Sequence, residues 1–411
     1  MTFNSLYLLL CLLPAAAEFP VWTAHRLFPN VTSVVDATCL DGSPPLYYHS
    51  PGFGDGVDKW QIHHEGGAWC GSAEECVGWW GFRSTLVDPD QLPQDAQAST
   101  GYFNRSEPKN AMANWNFVFI RYCDGFSFAS NRLLPSVVAV NATSNVTAHF
   151  RGLAVLQAVR KDLLGVRGMA DATVVVVGGC SAGGMAVFIH CDAWAARIAR
   201  SNLATRTVCL ADSGWFPLVP DTGFFPSTWF NGVWQGAFDW HNASAAVSAE
   251  CLAQHAAAGD GWKCAMAQFA APLITTPLFM YQSIYDSFQI FNMERCIPMP
   301  PDPQSPCTAA QVTAWGGNIT LNIRAFLDSP RALAAGSAAF TDACYHHCGT
   351  WADFDQITSW VGPTANVTGS QAFSYWLASR AAGTSSMWAQ PTSYPCDGTR
   401  CCGPHGPDTG V

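Results

Sequence analysis

Charged side chains are scarce in this chain of 411 residues, because Asp, Glu, Lys and Arg together make up only 12% of it. Soluble domains usually contain about 25% charged residues. The charges that are present are mostly acidic, and the formal net charge is −10. An acidic excess repels the phosphate backbone, so the composition argues against nucleic acid as a partner. Any other polyanion would have to bind at a local basic patch.

Long apolar runs are also missing. Leu6 to Leu13 is the main apolar stretch near the start, and it is too short to span a membrane. Ala15, Ala16 and Ala17 follow it as a typical cleavage site. We therefore predict a signal peptide over residues 1–17, a secreted or cell-wall protein, and no stable membrane insertion. A short N-terminal anchor is the alternative.

Cysteine, by contrast, is abundant, with 17 residues in the chain. One of them, Cys11, lies in the predicted signal peptide, which leaves an even number that can pair in an oxidising compartment. The expected local pairs are Cys70 with Cys76, Cys251 with Cys264, and Cys296 with Cys307.

Seven Asn-x-Ser/Thr sequons are spread along the chain, which is typical of an extracellular glycoprotein. The sequon asparagines are Asn30, Asn104, Asn141, Asn145, Asn242, Asn318 and Asn366.

The part of the chain after the leader, residues 18–411, has no repeat and no long low-complexity linker, which predicts a single domain. Apolar strands alternate with helices along it, so we predict an α/β fold. Its mostly parallel central sheet should be covered by helices on both faces. The predicted strands are 59–64, 116–122, 173–178, 207–211 and 277–285, and the predicted helices are 149–164, 184–199, 321–326 and 370–380.

The segment Gly179-Cys180-Ser181-Ala182-Gly183 carries the clearest chemical signal. It follows a β-branched run that ends at Val177 and precedes a predicted helix. A serine between a strand and a helix, with glycines on either side, is typical of a nucleophile elbow. Ser181 is therefore the candidate nucleophile. The alternative is a buried serine that caps the helix at a tight glycine turn.

A serine nucleophile needs a base and an orienting acid, and hydrolases of this type supply them downstream of the serine, acid first and then histidine. Two aspartates end apolar strands in suitable places, Asp212 and Asp286. The pattern of residues favours neither, and for both the alternative is a turn or a helix cap.

The candidate bases are the adjacent histidines His346 and His347, which stand between Cys344 and Cys348. Neighbouring side chains cannot both face one serine, so only one of them is the base. The alternative is a zinc site, since cysteine and histidine are zinc ligands. Paired cysteines would instead hold this loop in place through a disulfide.

An oxyanion hole requires backbone N–H donors near the nucleophile. The residue after the serine, Ala182, provides one donor. The glycine-rich loop 64–70 follows a predicted strand and resembles the oxyanion loops of esterases. The neighbouring His63 and His64 are expected to pack or donate hydrogen bonds rather than to catalyse.

Six motifs in register resemble the pectin acetylesterase family, which includes the animal Notum carboxylesterases, and they span roughly residues 36 to 390. They are residues 65–70 (EGGAWC), 121–128 (RYCDGFSF), 179–184 (GCSAGG), 210–214 (LADSG), 285–290 (YDSFQI) and 344–348 (CYHHC). The resemblance implies an α/β-hydrolase-like esterase domain.

The resemblance also implies a role for each candidate residue. It favours Asp286 over Asp212 as the acid and His347 over His346 as the base, and it places the oxyanion donors at Gly67, Ala68 and Ala182. Ala68 departs from the family pattern, because a third glycine is usual there; a backbone N–H survives this change, but the loop geometry is open.

The expected activity is therefore that of a serine carboxylesterase with a Ser181–His347–Asp286 triad and neither metal nor cofactor. By resemblance, its expected substrate is an O-acetyl ester on an extracellular or cell-wall polysaccharide of the pectin type. One alternative is a Notum-like deacylase that removes a longer acyl chain from a protein. The other is a non-catalytic secreted glycoprotein that binds carbohydrate.

Overall fold

The structure, a computed structural model, describes residues 21–28, 37–78, 101–107, 109–218, 227–293, 307–352, 354–379, 382–396 and 401–402. The predicted signal peptide, Asn30 and Cys296 lie outside the described residues. The assignment of residues 18–411 to one esterase domain stays a prediction.

A nine-stranded sheet forms the centre of the fold, in the order β1-β2-β4-β3-β7-β8-β9-β10-β11. The strands from β4 to β11 in this order pair in parallel, and β1 and β2 add two antiparallel pairings at one edge. A separate hairpin, β5–β6, lies outside this sheet. The bounds are β1 Thr23–Arg26, β2 Leu46–Ser50, β3 Lys59–His64, β4 Asn116–Ile120, β5 Ser136–Asn141, β6 Ser144–Ala148, β7 Val174–Cys180, β8 Arg206–Asp212, β9 Leu278–Ser283, β10 Ala338–Asp342 and β11 Ser386–Ala389.

The helices lie between the strands, as expected for parallel crossovers. Their bounds are α1 Ala73–Gly78, α2 Gly152–Gly165, α3 Ala182–Ser201, α4 Ser227–Trp240, α5 Ala249–His255, α6 Ala267–Ala270, α7 Ala309–Leu327, α8 Pro330–Ala335, α9 Gly349–Ala352 and α10 Gly369–Ser379. Among the described residues, no helix combines the length and the apolar character required to cross a membrane. The α/β prediction is confirmed.

Both faces of the sheet are buried at its centre, which explains why central strands such as β4 and β7 consist mostly of apolar residues. Val175 and Val177 of β7 belong to a core cluster shared with α2 and α3, whereas Val176 belongs to a second cluster with Phe279 and Phe340. Successive side chains of a strand point to opposite faces, so each face receives apolar groups from the same run. The candidate functional residues lie in the loops at the carboxyl ends of the strands.

Seven disulfides connect described cysteines. They are Cys39–Cys123, Cys70–Cys76, Cys180–Cys348, Cys191–Cys209, Cys251–Cys264, Cys344–Cys402 and Cys396–Cys401. The predicted pairs Cys70–Cys76 and Cys251–Cys264 are confirmed. Of the six sequon asparagines within the described residues, none is buried.

Candidate active site

Ser181 is the single residue between the end of β7 and the start of α3. Its backbone has φ 60° and ψ −124°, a conformation that side-chain-bearing residues rarely adopt. The close approach of neighbouring backbone explains the glycines of the motif. A Cβ on Gly183 would overlap the carbonyl oxygen of His64, and one on Gly179 would overlap the carbonyl of Gly183. The turn therefore presents Ser181 at the carboxyl end of the sheet, at the start of a 20-residue helix.

The His347 ring is bound to Asp286, with 2.7 Å between Nδ1 and Oδ2. Asp286 follows β9 and is fully buried, and its other oxygen accepts the backbone N–H of Gln289 at 3.0 Å. The ring of Phe288 stacks on the imidazole at 5.3 Å between centroids. Nε2 of His347 is buried and has no hydrogen-bond partner among the described residues. A carboxylate on Nδ1 favours the tautomer whose Nε2 accepts a proton, which is the state that a general base needs.

A disulfide joins the two loops that carry Ser181 and His347. Cys180 precedes the serine and Cys348 follows the histidine, and their Cα atoms are 5.5 Å apart. A ring nitrogen of His347 lies within 4.8 Å of the sulfur atoms of both cysteines. The nucleophile candidate and the base candidate are thus held in one small region, although 165 residues separate them in the chain.

The adjacent histidine has a different carboxylate partner. Nε2 of His346 lies 2.9 Å from Oδ1 of Asp342, the last residue of β10, and both side chains are buried. The two neighbouring rings therefore diverge, and only His347 contacts Asp286. The zinc alternative would require thiolates at Cys344 and Cys348, but both sulfur atoms are in disulfides.

Asp212, the rival acid in the sequence, stabilises the loop that follows His347. Its Oδ2 accepts hydrogen bonds from the backbone N–H and the hydroxyl of Thr350, at 2.9 and 2.5 Å. Ser213 donates its hydroxyl to Oδ1 at 2.9 Å and accepts the N–H of Cys348 at 2.9 Å. Burial raises the pKa of Asp212 to about 6, against the lowering effect of these hydrogen bonds.

The glycine-rich loop lies directly against the serine turn, since a Cβ on Gly66 would approach the Cys180 carbonyl and Cβ of Ser181. Gly67 and Ala68 both have positive φ, 135° and 57°. Ala68 therefore adopts a left-handed conformation that favours glycine. The N–H groups of Gly67 and Ala68 bond to no residue that the structure describes. Ala182 is the first residue of α3, where backbone N–H groups have no partner within the helix.

The segment after β4 holds this loop, a role that the residue pattern did not reveal. Arg121 forms an ion pair with Glu65, with 3.0 Å between Nε and Oε2. The Tyr122 hydroxyl donates to the Ala68 carbonyl at 3.0 Å, and the Trp69 indole N–H donates to the Ser127 hydroxyl at 2.8 Å. The signal was available as the motif 121–128, because its polar side chains cluster at a strand end, but the sequence alone did not name their partners.

His63 and His64 are buried in the sheet and contact no catalytic candidate. His64 donates from Nδ1 to the Gly178 carbonyl at 2.8 Å and accepts the Trp194 indole N–H on Nε2 at 3.1 Å. Burial lowers the pKa of His64 to about 4, so the ring is neutral at physiological pH. His63 bonds to the Tyr102 hydroxyl. Both have the packing and hydrogen-bonding roles that the sequence predicts.

The chain is similar to known proteins over most of its length. The pectinacetylesterase family model matches residues 26–401. Pectin acetylesterase 7 of Arabidopsis thaliana is 29% identical over 373 residues, covering 87% of this chain and 88% of the relative. The palmitoleoyl-protein carboxylesterase NOTUM of Homo sapiens is 29% identical over 267 residues, 62% of this chain and 49% of the human protein.

Among solved structures, the Wnt deacylase Notum from Drosophila superposes with a TM-score of 0.71 at 22% identity. The match covers 94% of this chain and all of the Drosophila chain. At this identity the likeness establishes the fold alone.

Proposed function

Because the chain belongs to the pectinacetylesterase family and is a carboxylic ester hydrolase, we propose that it removes acetyl groups from an extracellular, pectin-like polysaccharide. Ser181 is the proposed nucleophile, His347 the base and Asp286 the orienting acid. The N–H groups of Gly67, Ala68 and Ala182 are the proposed oxyanion donors. We further propose that the protein is secreted, since seven disulfides among the described residues require an oxidising compartment.

The observation that carries the proposal is the covalent link beside the triad candidates. Cys180 and Cys348 are disulfide-bonded, so the chain neighbours Ser181 and His347 cannot separate. At the same time His347 is bound through Nδ1 to the buried carboxylate of Asp286. A serine, a histidine with a free Nε2 and a buried aspartate are the parts that acyl transfer requires.

The proposed reaction proceeds through an acyl-enzyme. His347 Nε2 takes the hydroxyl proton as Ser181 Oγ attacks the ester carbonyl, and Asp286 stabilises the imidazolium that forms. The backbone N–H groups at Gly67, Ala68 and Ala182 stabilise the oxyanion of the tetrahedral intermediate. The imidazolium then protonates the leaving sugar oxygen. Water attacks the acyl-enzyme with His347 again as base, which releases acetate and restores Ser181.

Aromatic rings pack beside His347. Trp69 contacts Phe216 at 4.8 Å between ring centroids, and Phe288 lies 6.1 Å from each of them while stacking on His347. Phe216 is buried. These rings form an apolar wall beside His347, against which the methyl group of an acetyl ester can pack.

The test is hydrolysis of 4-nitrophenyl acetate by single variants. We expect Ser181→Ala and His347→Gln each to lower kcat by about 10⁴-fold, because loss of one triad member removes the activated nucleophile. His346→Gln is the matched control, since it changes the neighbouring ring, which contacts Asp342 instead of Asp286. The control should keep its activity within about tenfold of the parent protein.

A fluorophosphonate probe should label the parent protein and leave Ser181→Ala unlabelled, because only an activated serine reacts. Full turnover by the Ser181→Ala variant would refute the assignment. An unlabelled, inactive parent protein would instead favour the non-catalytic carbohydrate-binding alternative. Acetyl and octanoyl esters compared on the same enzyme distinguish the substrates: we expect acetyl to be favoured by at least about tenfold in kcat/KM, and the reverse order would favour a Notum-like deacylase.

A further inference from the structure

A cleft of about 390 Å³ lies between α2 and α3, away from the candidate active site. Four cationic side chains line it, although the whole chain has only 20 Lys and Arg and a net charge of −10. They are Arg160 and Lys161 from α2 and Arg197 and Arg200 from α3. The remaining lining residues are Gln157 and two alanines, so none of the described residues that line the cleft is acidic.

Arg160 is the buried member of this group, with 7% of its surface exposed. Its guanidinium lies 4.8 Å above the ring of Trp194. Nε and Nη2 are buried and have no hydrogen-bond partner among the described residues. Buried N–H groups of a guanidinium without acceptors are unfavourable, and an anion in the cleft would supply the missing acceptors. Burial also lowers the pKa of Arg160 to about 9, which still leaves it charged at neutral pH.

The exposed cations extend the positive charge along the rim. Arg197 and Arg200 are both exposed and stand three positions apart on α3, which places them about 4.5 Å apart along the helix axis. Ala193 and Ala196, whose side chains are small, also line the cleft. Each guanidinium fork binds one carboxylate. Cations on two helices therefore fit a ligand with several anionic groups better than they fit a single small anion.

We propose that this cleft binds successive carboxylates of an acidic polysaccharide, such as the uronates of a pectin-like chain. The identity of the polymer rests on the proposed function, whereas the anion site rests on the four cations alone. Ser181 precedes Arg197 by 16 residues of helix, about 24 Å along the axis of α3. The cleft therefore holds unreacting parts of the polymer and raises the local concentration of acetyl esters without contacting the reacting ester.

The test measures binding of unesterified polygalacturonate in the Ser181→Ala background, so that turnover does not enter. We expect Arg197→Gln combined with Arg200→Gln to weaken binding about tenfold at low salt, and the difference to shrink as salt rises. The matched control is Lys109→Gln combined with Arg324→Gln, which removes the same charge from exposed sites elsewhere. The control should change binding less than about twofold.

Two further measurements decide the source of the anion and separate this proposal from the esterase proposal. In the catalytically intact protein, the cleft variant should raise KM for acetylated polygalacturonate and leave kcat/KM for 4-nitrophenyl acetate unchanged. Equal binding by cleft variant and control would overturn the proposal, whatever Ser181 does. Inorganic phosphate that displaces the polymer at an equal concentration of anionic groups would assign the cleft to a free anion and also overturn it.

Discussion

At the scale of single residues, two aspartates with the same sequence context have different surroundings. Asp212 and Asp286 each stand at or just after the carboxyl end of an apolar strand, and both are buried. Asp286 contacts the His347 ring, whereas Asp212 contacts Thr350 and Ser213. Asp212 therefore acts on the histidine only through the loop, as a positioning residue, since its partner Ser213 also accepts the N–H of Cys348.

The raised pKa of Asp212 predicts a pH-dependent contribution to stability. Burial raises this pKa from 3.8 to about 6. The folded state thus binds a proton that the unfolded state releases, so the contribution is present below about pH 4 and is lost as pH rises through about 6. Between pH 4 and pH 7, we expect the free energy of unfolding of the parent protein to fall by on the order of 3 kcal/mol relative to that of Asp212→Asn, whose side chain stays neutral.

Guanidinium unfolding of both proteins at pH 4 and pH 7, with disulfides intact, provides the free energies of unfolding. The difference between the two proteins isolates Asp212 from all other titrating groups. A difference that is the same at both pH values would contradict the raised pKa.

At the scale of elements, backbone strain is concentrated in the loops of the candidate site. Most non-glycine residues with positive φ among the described residues lie there: Ala68, Ser127, Phe128, Ser181, Ser213 and Cys348. Each such residue costs on the order of 1–3 kcal/mol and persists where surrounding contacts over-determine it. The contacts of Tyr122, Asp212 and the Cys180–Cys348 disulfide provide that constraint.

The packing of α3 on β3 makes a prediction about two helical glycines. A Cβ on Gly183 would overlap the His64 carbonyl oxygen, whereas nothing lies within 4 Å of a Cβ on Gly317 in α7. We expect Gly183→Ala to destabilise the protein by about 3 kcal/mol and to abolish esterase activity, because β3 and the serine turn must separate. Gly317→Ala, the matched control, should stabilise the protein by about 0.5–1 kcal/mol.

Thermal unfolding and hydrolysis of 4-nitrophenyl acetate, measured on the same preparations, distinguish the two variants. An active Gly183→Ala protein with unchanged Tm would show that the close contact between α3 and β3 is absent.

At the scale of the whole molecule, disulfides join segments that are far apart in the chain. Cys180 and Cys348 are 168 positions apart, whereas Cys251 and Cys264 are 13 apart. In the chain-entropy model, a bridge that closes a longer loop stabilises the folded state more, which gives about 5 kcal/mol for Cys180–Cys348 and about 3 kcal/mol for Cys251–Cys264. Only the long-range bridge also holds the nucleophile loop against the histidine loop.

Removing each bridge separates these two effects. We expect Cys180→Ala with Cys348→Ala to lower both Tm and kcat, with kcat falling at least about tenfold because Ser181 and His347 lose their mutual constraint. Cys251→Ala with Cys264→Ala should lower Tm and leave kcat unchanged. The measurement is kcat for 4-nitrophenyl acetate well below the Tm of every variant, and equal kcat values in the two double variants would contradict the positioning role.

The sequence by itself determined the local features of this protein. The strand Lys59–His64 has its predicted bounds, and β7, Ser181 and α3 follow one another as the serine motif predicts, because strand, turn and helix propensities act within a few residues. The helix α7 was recognised only in its last part, since its start depends on the capping box between Thr308 and Gln311 rather than on apolar spacing. The strands β1, β2, β10 and β11 and the hairpin β5–β6 were not predicted, because short strands that depend on tertiary contacts have weak patterns of their own.

Only the tertiary structure decided which side chains meet. Sheet pairing of β9 with β10 brings Asp286 to His347, whereas His346 contacts Asp342, four positions earlier on its own segment. Spacing had left the choice between the adjacent histidines open. Packing of α2 on α3 likewise gathers cations that lie 36 or more positions apart into one cleft. The physical reason is the same in both cases: contact energies between distant segments depend on register and packing, which no local stretch of sequence encodes alone.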